Sequence, residues 1–366
     1  MGGLPVPQEL DADPVPNDRR AGLGAPRTHV SPIARRGLPA LTALLALVAA
    51  SPPAFGESPA SPVPAPPEAP VLQEFRYRLS GAVRPLLFWL GDSDVGAARI
   101  VLRADENRRR GYELLIGSDP GRAPRGINRW GWVWEERRED GATQRGLMRK
   151  VDEQSVEEAR AKVGFESEYV FKAIRTEIAE GRARAENTVW LVEDNYTYYD
   201  LETVRHLIEA TPQSSPQVNE GPMPPDTHPG LLFAIADLID RAVEAATEDP
   251  RELLQDVTTN YNFNAIVCDL SLRRTEWEGS KQYGDRRYDG LIRMEFKSYN
   301  PEDHGTDHFT LVCGTEGEWR GVPVYMKYQP KWWFRTEGVI DESQVFERPQ
   351  ALQAGSTSPE GANRGG

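Results

Sequence analysis

The sequence predicts an α+β fold in which two antiparallel, strand-rich regions flank a helical middle segment. Short apolar–polar alternations separated by turn residues occupy 73–138 and recur over 264–340, and such alternation is typical of antiparallel strands. Between these regions, apolar residues recur every three or four positions across 153–180 and 231–246. That spacing is the period of an amphipathic helix.

The elements of the first region follow one another at short intervals, which favours antiparallel pairing. We predict its strands at 75–79, 83–90, 98–103, 112–116 and 127–137.

In the middle segment we predict a helix over 153–180 that ends at Gly181, a lone strand at 188–192 and a short helix at 201–210. The stretch 211–229 contains six prolines, so we expect no regular element there. A second amphipathic helix follows at 231–246.

The last region is predicted to be an antiparallel meander with one wet face. In each of its strands the apolar side chains lie on one face. These apolar rows are Ile266, Cys268, Leu270 and Leu272; Ile292, Met294 and Phe296; Phe309, Leu311 and Cys313; and residues 322–328.

Composition excludes several classes of protein. The 366 residues include 43 Lys and Arg against 56 Asp and Glu, a formal charge of −13, so we expect no nucleic-acid partner. Two cysteines are too few for a disulfide-dense scaffold or a four-thiolate zinc site. With 39% apolar residues the chain is able to bury a core.

Residues 1–56 have the features of a leader that contains a signal peptide. Arg35 and Arg36 precede the uncharged apolar run 38–51, and small residues at its end place the cleavage site after Gly56. The run is shorter than the roughly twenty residues of a membrane helix. We therefore predict export to the periplasm or the extracellular space, with no transmembrane helix in the mature chain. The long polar segment before the arginines indicates a misassigned translation start.

Composition also sets the domain boundaries of the mature chain. Residues 57–72 form a Pro-rich linker and 348–366 a disordered tail. The α+β globular region spans 73–347. An alternative is a division into two independent β-rich domains at the proline-rich stretch 211–229.

A G-S-D-P turn over Gly117–Pro120 precedes an I-N-R-W-G strand over Ile127–Gly131. This pair of motifs resembles a group of uncharacterised exported bacterial proteins with no known activity. The resemblance implies export and transfers no catalytic residue.

The strand after this turn carries Trp130, Trp132 and Trp134 on one face. If exposed, three indoles in a row form a platform for a glycan or an apolar planar molecule. The neighbouring Arg125 and Arg129 are basic positions that suit an anionic group. The alternatives are a core face covered by the predicted 153–180 helix and a solvated basic turn.

His304, Asp307 and His308 supply ligand types for a transition metal. However, the spacing of the two histidines aligns their rings reliably only on a helix, and Gly305 disfavours one. A surface loop that contains two histidines is the alternative.

Cys268 and Cys313 both lie on the apolar face of their predicted strands. Export permits a disulfide between them, whereas two buried thiols are expected if the strands are not neighbours. The sequence leaves both alternatives open.

Two functions follow from these observations. The first is a non-catalytic exported protein that binds a ligand or an envelope component and needs no cofactor. The second is an exported hydrolase, assisted by a metal at the histidine cluster. We find no nucleophile elbow, phosphate-binding loop or dinucleotide fingerprint.

Overall fold

The structure is a computed structural model that describes residues 70–83, 90–104, 110–150, 169–192, 194–210, 216–331 and 334–341, together with residues 343 and 346. The predicted leader, almost all of the linker and the tail lie outside these residues. Most of the predicted strand 83–90 lies outside them as well.

The described residues form a single 15-stranded sheet. The strands are β1 (Val71–Val83), β2 (Leu90–Ala104), β3 (Arg110–Ser118), β4 (Trp130–Arg137), β5 (Ala142–Lys150), β6 (Tyr169–Ala179), β7 (Arg182–Val192), β8 (Gln217–Pro222), β9 (Thr227–His228), β10 (Val257–Phe263), β11 (Ile266–Tyr283), β12 (Arg286–Asn300), β13 (Gly305–Gly314), β14 (Pro323–Lys331) and β15 (Phe334–Ile340).

The sheet consists of two meanders joined side by side. Strands β1 to β8 pair in chain order, strands β10 to β15 do the same, and β1 pairs with β15. The pairs are antiparallel except for β9 with β10, which is parallel. Tyr77 of β1 lies opposite Ile340 of β15, so the first and last described strands join the two meanders.

The far ends of the sheet contact each other. Asn187 of β7 donates a hydrogen bond of 2.6 Å to the side chain of Asn264, in the turn between β10 and β11. Ala183, Ala185 and Ala265 form a small buried cluster at the same place. One face of the sheet is therefore enclosed and becomes the inner face, and the other is the outer face.

Each face carries one of the two α-helices found among the described residues. Helix α1 (Leu201–Ala210) packs on the outer face, where Leu201 and Val204 join the indoles of β4. Helix α2 (Leu231–Glu248) packs on the inner face, where Leu238 and Ala242 lie against strands β10 to β13. Both helices were predicted from the sequence, the second of them from its periodicity, and the structure confirms them.

The predicted α+β fold with a helical middle segment is wrong. The middle of the chain adds strands to the same sheet, and the second half of the predicted 153–180 helix is strand β6. Val170, Ile174 and Ile178 are four residues apart, and that spacing lies on one face of a strand as well as on one face of a helix. The part of that prediction over 151–168 lies outside the described residues.

The prediction that 211–229 has no regular element is also wrong. Residues 217–222 form β8 at one end of the sheet and residues 227–228 form β9 at the other. Prolines are compatible with these positions because an edge strand leaves one row of backbone groups unpaired. The meander predicted for 264–340 is confirmed by strands β11 to β15.

Candidate functional site

A cavity of about 90 Å³ lies on the inner face, between strands β3 to β6, Phe263 at the end of β10 and the first turns of α2. Its wall is almost entirely apolar. The aliphatic side chains that line it include Leu114, Ile116, Val133, Met148, Ile174 and Ile235. One buried water needs roughly 10–15 Å³, so the cavity has room for a larger group.

Three polar side chains interrupt this apolar wall: Glu135, Gln144 and Lys172. All three are buried, with exposed fractions of 0%, 5% and 8%. Glu135 and Gln144 are direct partners in the register of β4 and β5, and Gln144 Nε2 donates to Glu135 Oε1 at 3.4 Å.

The Glu135 carboxylate caps the N-terminus of α2. The backbone N–H of Leu232 donates to Oε1 at 3.2 Å, and that of Phe233 donates to Oε2 at 3.1 Å. These N–H groups belong to the first turn of the helix, where no backbone carbonyl is available to accept from them. A side chain of β4 therefore holds the end of the helix that forms part of the cavity wall.

Burial raises the pKa of Glu135 to about 7, although the backbone N–H groups and Gln144 act in the opposite direction. The cause is the cost of removing a carboxylate from water. Near neutral pH this group is therefore present in both the protonated and the ionised form.

Two glycines shape the site. Gly230 precedes α2, and a Cβ at this position would lie 2.1 Å from Cδ of Glu135. The close approach of carboxyl and helix thus requires glycine there. Gly146 lines the cavity, and a Cβ on it would meet nothing closer than 3.9 Å. The missing side chain of Gly146 is therefore part of the empty space.

The predicted indole row lies on the outer face and is buried. Trp130, Trp132 and Trp134 are 0%, 4% and 3% exposed, and they pack with Leu201 and Val204 of α1. In this structure they form a core face and no exposed platform. The element that covers them is α1, whereas a helix over 153–180 was predicted to cover them.

The predicted basic positions beside the indoles are Arg125 and Arg129. Arg129 is half-buried just before β4, and its backbone N–H donates to Ser118 Oγ at 2.8 Å. Arg125 belongs to the short turn Pro124–Gly126, and its side chain lies outside what the structure describes. Arg129 is not among the residues that line the cavity.

The two motifs around these residues fix the loop between β3 and β4. Ser118 Oγ donates to the carbonyl of Ile127 at 2.8 Å, and Asn128 Nδ2 donates to the carbonyl of Tyr196 at 2.9 Å. A Cβ on Gly117 would lie 2.6 Å from the ring of Tyr198. The motifs thus attach the segment before α1 to the indole row, a structural role.

The structure does not bring the predicted metal ligands together. His304 is in a turn, where its ring lies 2.9 Å from the Tyr299 hydroxyl. Asp307 faces inward and accepts from the Tyr328 hydroxyl at 2.8 Å. His308 is the next residue of the same strand, so its side chain points to the opposite face. No three His, Cys, Asp or Glu side chains converge within the described part of the chain.

Cys268 and Cys313 are both free and buried in this structure. They belong to β11 and β13, and β12 lies between these strands. Burial raises the pKa of the Cys268 thiol to about 12 and that of Cys313 further. Both thiols therefore pack as small apolar groups against α2.

The polar residues of the cavity were not among the site residues predicted from the sequence. Each of them has an apolar or small residue two positions away on the same strand: Val133 precedes Glu135, Gly146 follows Gln144, and Ile174 follows Lys172. The signal that marks them is a polar residue at a strand position that faces the same side as apolar residues. It is informative only once the strand is recognised, and β6 was assigned to a helix.

Comparison with known proteins adds little. No protein-family model and no curated protein matches this chain. No helix in the described ranges has the length and hydropathy of a membrane span. A solved structure from Brucella abortus, described as a beta-barrel-like protein of domain of unknown function DUF1849, covers 75% of this chain and 98% of its own at 7% identity and a TM-score of 0.34. A likeness of that size carries no functional argument.

Proposed function

We propose that this protein is exported and binds a small, largely apolar molecule in the cavity beneath the N-terminus of α2. The observation that carries the proposal is the cavity itself, with its aliphatic wall and its three buried polar side chains. A concave apolar site with a few polar groups is the usual form of a small-molecule site. The leader predicted over residues 1–56 supports export.

The energetic cost of the empty space supports an occupant. Lost packing destabilises a folded protein by roughly 24 cal/mol per Å³ of cavity, so an empty space of 90 Å³ costs at most about 2 kcal/mol. A ligand that fills the space restores those contacts and raises the stability of the folded chain.

The frame around the cavity supports binding without large rearrangement. Glu135 connects β4 to α2 through two backbone N–H groups. The opposite wall consists of strands β3 to β6, which pair continuously. A preformed site reduces the conformational entropy that binding must overcome.

The test is to fill the cavity from its own wall and to measure binding of octanol as a probe. A Cβ on Gly146 would meet no atom closer than 3.9 Å, and the two methyl groups of Gly146→Val extend from that Cβ into the space that Gly146 lines. The matched control is Gly81→Ala on β1, where a Cβ would lie 3.4 Å from its nearest neighbour, away from the cavity.

We expect octanol to raise the melting temperature of the unaltered chain and of Gly81→Ala, and to leave that of Gly146→Val unchanged. An equal rise in all three proteins would place octanol elsewhere and overturn the proposal. The absence of any rise in the folded, unaltered chain would overturn it too.

A further inference from the structure

The Glu135 carboxyl lies within the wall of the cavity. Its oxygens accept hydrogen bonds from the backbone N–H groups of Leu232 and Phe233 and from Nε2 of Gln144. Glu135, Gln144 and Leu232 all line the cavity, whose wall is mostly apolar. Glu135 is itself 0% exposed. The free energy of its charged form therefore depends on what fills the cavity, whether or not an oxygen points directly into it.

Gln144 provides a hydrogen-bond partner for both forms of this carboxyl. When Glu135 is ionised, Gln144 Nε2 donates to its Oε1 at 3.4 Å. Oε1 of Gln144 is buried and has no hydrogen-bond partner among the described residues. Rotation of the amide by half a turn exchanges its nitrogen and its oxygen, and the oxygen then accepts the O–H of a protonated Glu135. The pair therefore accommodates the proton without leaving it unpaired.

An apolar occupant of the cavity favours the protonated form of Glu135. A carboxylate is disfavoured by surroundings of low dielectric, and an apolar molecule places hydrocarbon beside the wall that contains Glu135. Its binding thus raises the pKa of Glu135 further above the value of about 7 that burial already produces. Because coupling between two sites is reciprocal, an occupant that favours protonation binds more tightly to the protonated chain.

Other charged and titratable side chains lie on the elements around Glu135. They include Arg110, Tyr112, Arg137, Lys172, His228, Asp237 and Asp240. Tyr112 is the direct partner of Glu135 in the register of β3 and β4, and burial raises its pKa above 10.0. Burial lowers the pKa of His228 below 6.5, so this group titrates below Glu135 but close enough to need a control.

We propose that binding of an apolar molecule in the cavity is coupled to the uptake of a proton by Glu135, so that the site binds more tightly in mildly acid than in mildly alkaline solution. The proposal rests on the proposed function, because it concerns the regulation of the same cavity. The proton comes from the solvent and converts the carboxylate to a carboxyl group, and no bond of the ligand changes.

The sign of the pH dependence follows from the two states of the site. The gain in affinity is fully present below the pKa of Glu135 in the chain without ligand. It is lost as the pH rises through the higher pKa of the occupied site. A rise of half a unit in this pKa corresponds to about a threefold change in affinity.

The experiment measures the binding of benzene by calorimetry at pH 6 and pH 8.5. Benzene has no ionisable group and no hydrogen-bond donor, so a dependence of its affinity on pH originates in the protein. We expect it to bind about threefold more tightly at pH 6 than at pH 8.5. At pH 7.5 the heats of binding in two buffers of different ionisation enthalpy should show net proton uptake.

Two variants assign the proton to its residue. Glu135→Gln keeps a hydrogen-bond acceptor but does not ionise, so we expect equal affinities at both pH values and no proton uptake. His228→Gln is the matched control, and we expect it to behave like the unaltered chain. If Glu135→Gln does not fold, infrared difference spectra of the unaltered chain decide, because benzene should then increase the band of a protonated carboxyl group at pH 7.5.

The outcomes separate the two proposals. If Gly146→Val abolishes benzene binding but the affinity of the unaltered chain is equal at both pH values, or higher at pH 8.5, the cavity is a site and the inference is wrong. A pH dependence that disappears in His228→Gln and persists in Glu135→Gln would overturn it too. If octanol binds in the cavity and benzene does not, the site does not accept a purely apolar occupant and the inference is wrong. If neither binds the folded chain, the proposed function fails as well.

Discussion

Substitution of Glu135 by glutamine tests how the carboxyl holds α2 against the sheet. Burial raises the pKa of Glu135 from 4.5 to about 7 in the folded chain. In the unfolded chain the carboxyl is solvated and titrates near its ordinary value. The folded chain therefore binds this proton more tightly than the unfolded chain does, and its stability depends on pH.

The sign and size follow from these two values. The favourable contribution of the raised pKa is fully present below about pH 4.5, and it is lost as the pH rises through about 7. Each pH unit in this window corresponds to about 1.4 kcal/mol, so the free energy of unfolding falls by about 3 kcal/mol from this group. Glutamine does not ionise, and the contribution is absent in Glu135→Gln.

The assay is urea unfolding, followed by circular dichroism at a series of pH values from 4 to 8. We expect the free energy of unfolding of Glu135→Gln, relative to the unaltered chain, to rise by about 3 kcal/mol across that range. Glu136→Gln is the matched control, because Glu136 is the next residue, lies on the opposite face and forms an ion pair with Arg138. A difference between Glu135→Gln and the unaltered chain that does not change with pH would refute the reasoning.

Three further predictions concern packing. Trp132→Ala removes a buried indole and should lower the free energy of unfolding by about 3–5 kcal/mol; unchanged stability in urea would contradict its burial. Gly230→Ala should also destabilise the chain, because its Cβ would overlap the Glu135 carboxyl. A double-mutant cycle with Glu135→Ala should show a coupling energy above about 0.5 kcal/mol, whereas additive effects would contradict the close contact of Gly230 with Glu135. The thiols of Cys268 and Cys313 should react with Ellman's reagent only after unfolding, and a lack of reaction in denaturant without reductant would indicate a disulfide.

The sequence predicts those elements whose periodicity permits only one structure. Ile292, Met294 and Phe296 alternate with charged residues, and only a strand places them on one face. Leu231, Leu238 and the other apolar residues of α2 are spaced three or four apart, a pattern that a strand would divide between its two faces.

The middle of the chain was mispredicted because its spacing is ambiguous. Val170, Ile174 and Ile178 are separated by four residues, an even number and nearly one helical turn. The pairing of β6 with β5 and β7 along its whole length decides for the strand. That pairing depends on residues distant in the chain, which periodicity does not report.

The site was not predictable for the same reason. Glu135, Lys172 and Ile235 line one cavity only because the strands pair in register and α2 returns to the inner face. The burial of Trp132 likewise depends on α1, which follows it by about seventy residues. Alternation shows that residues share a face, but it does not show which element covers that face.

The most direct measurement of the central claim is the position of a bound probe. We propose nuclear Overhauser effects between octanol and the chain with labelled Ile, Leu and Met methyl groups. We expect contacts from the octanol methylenes to Ile174, Ile235 and Met148, and we expect these contacts to be lost in Gly146→Val. Contacts confined to methyl groups outside the cavity, such as those of Leu201 beside the indole row, would contradict it.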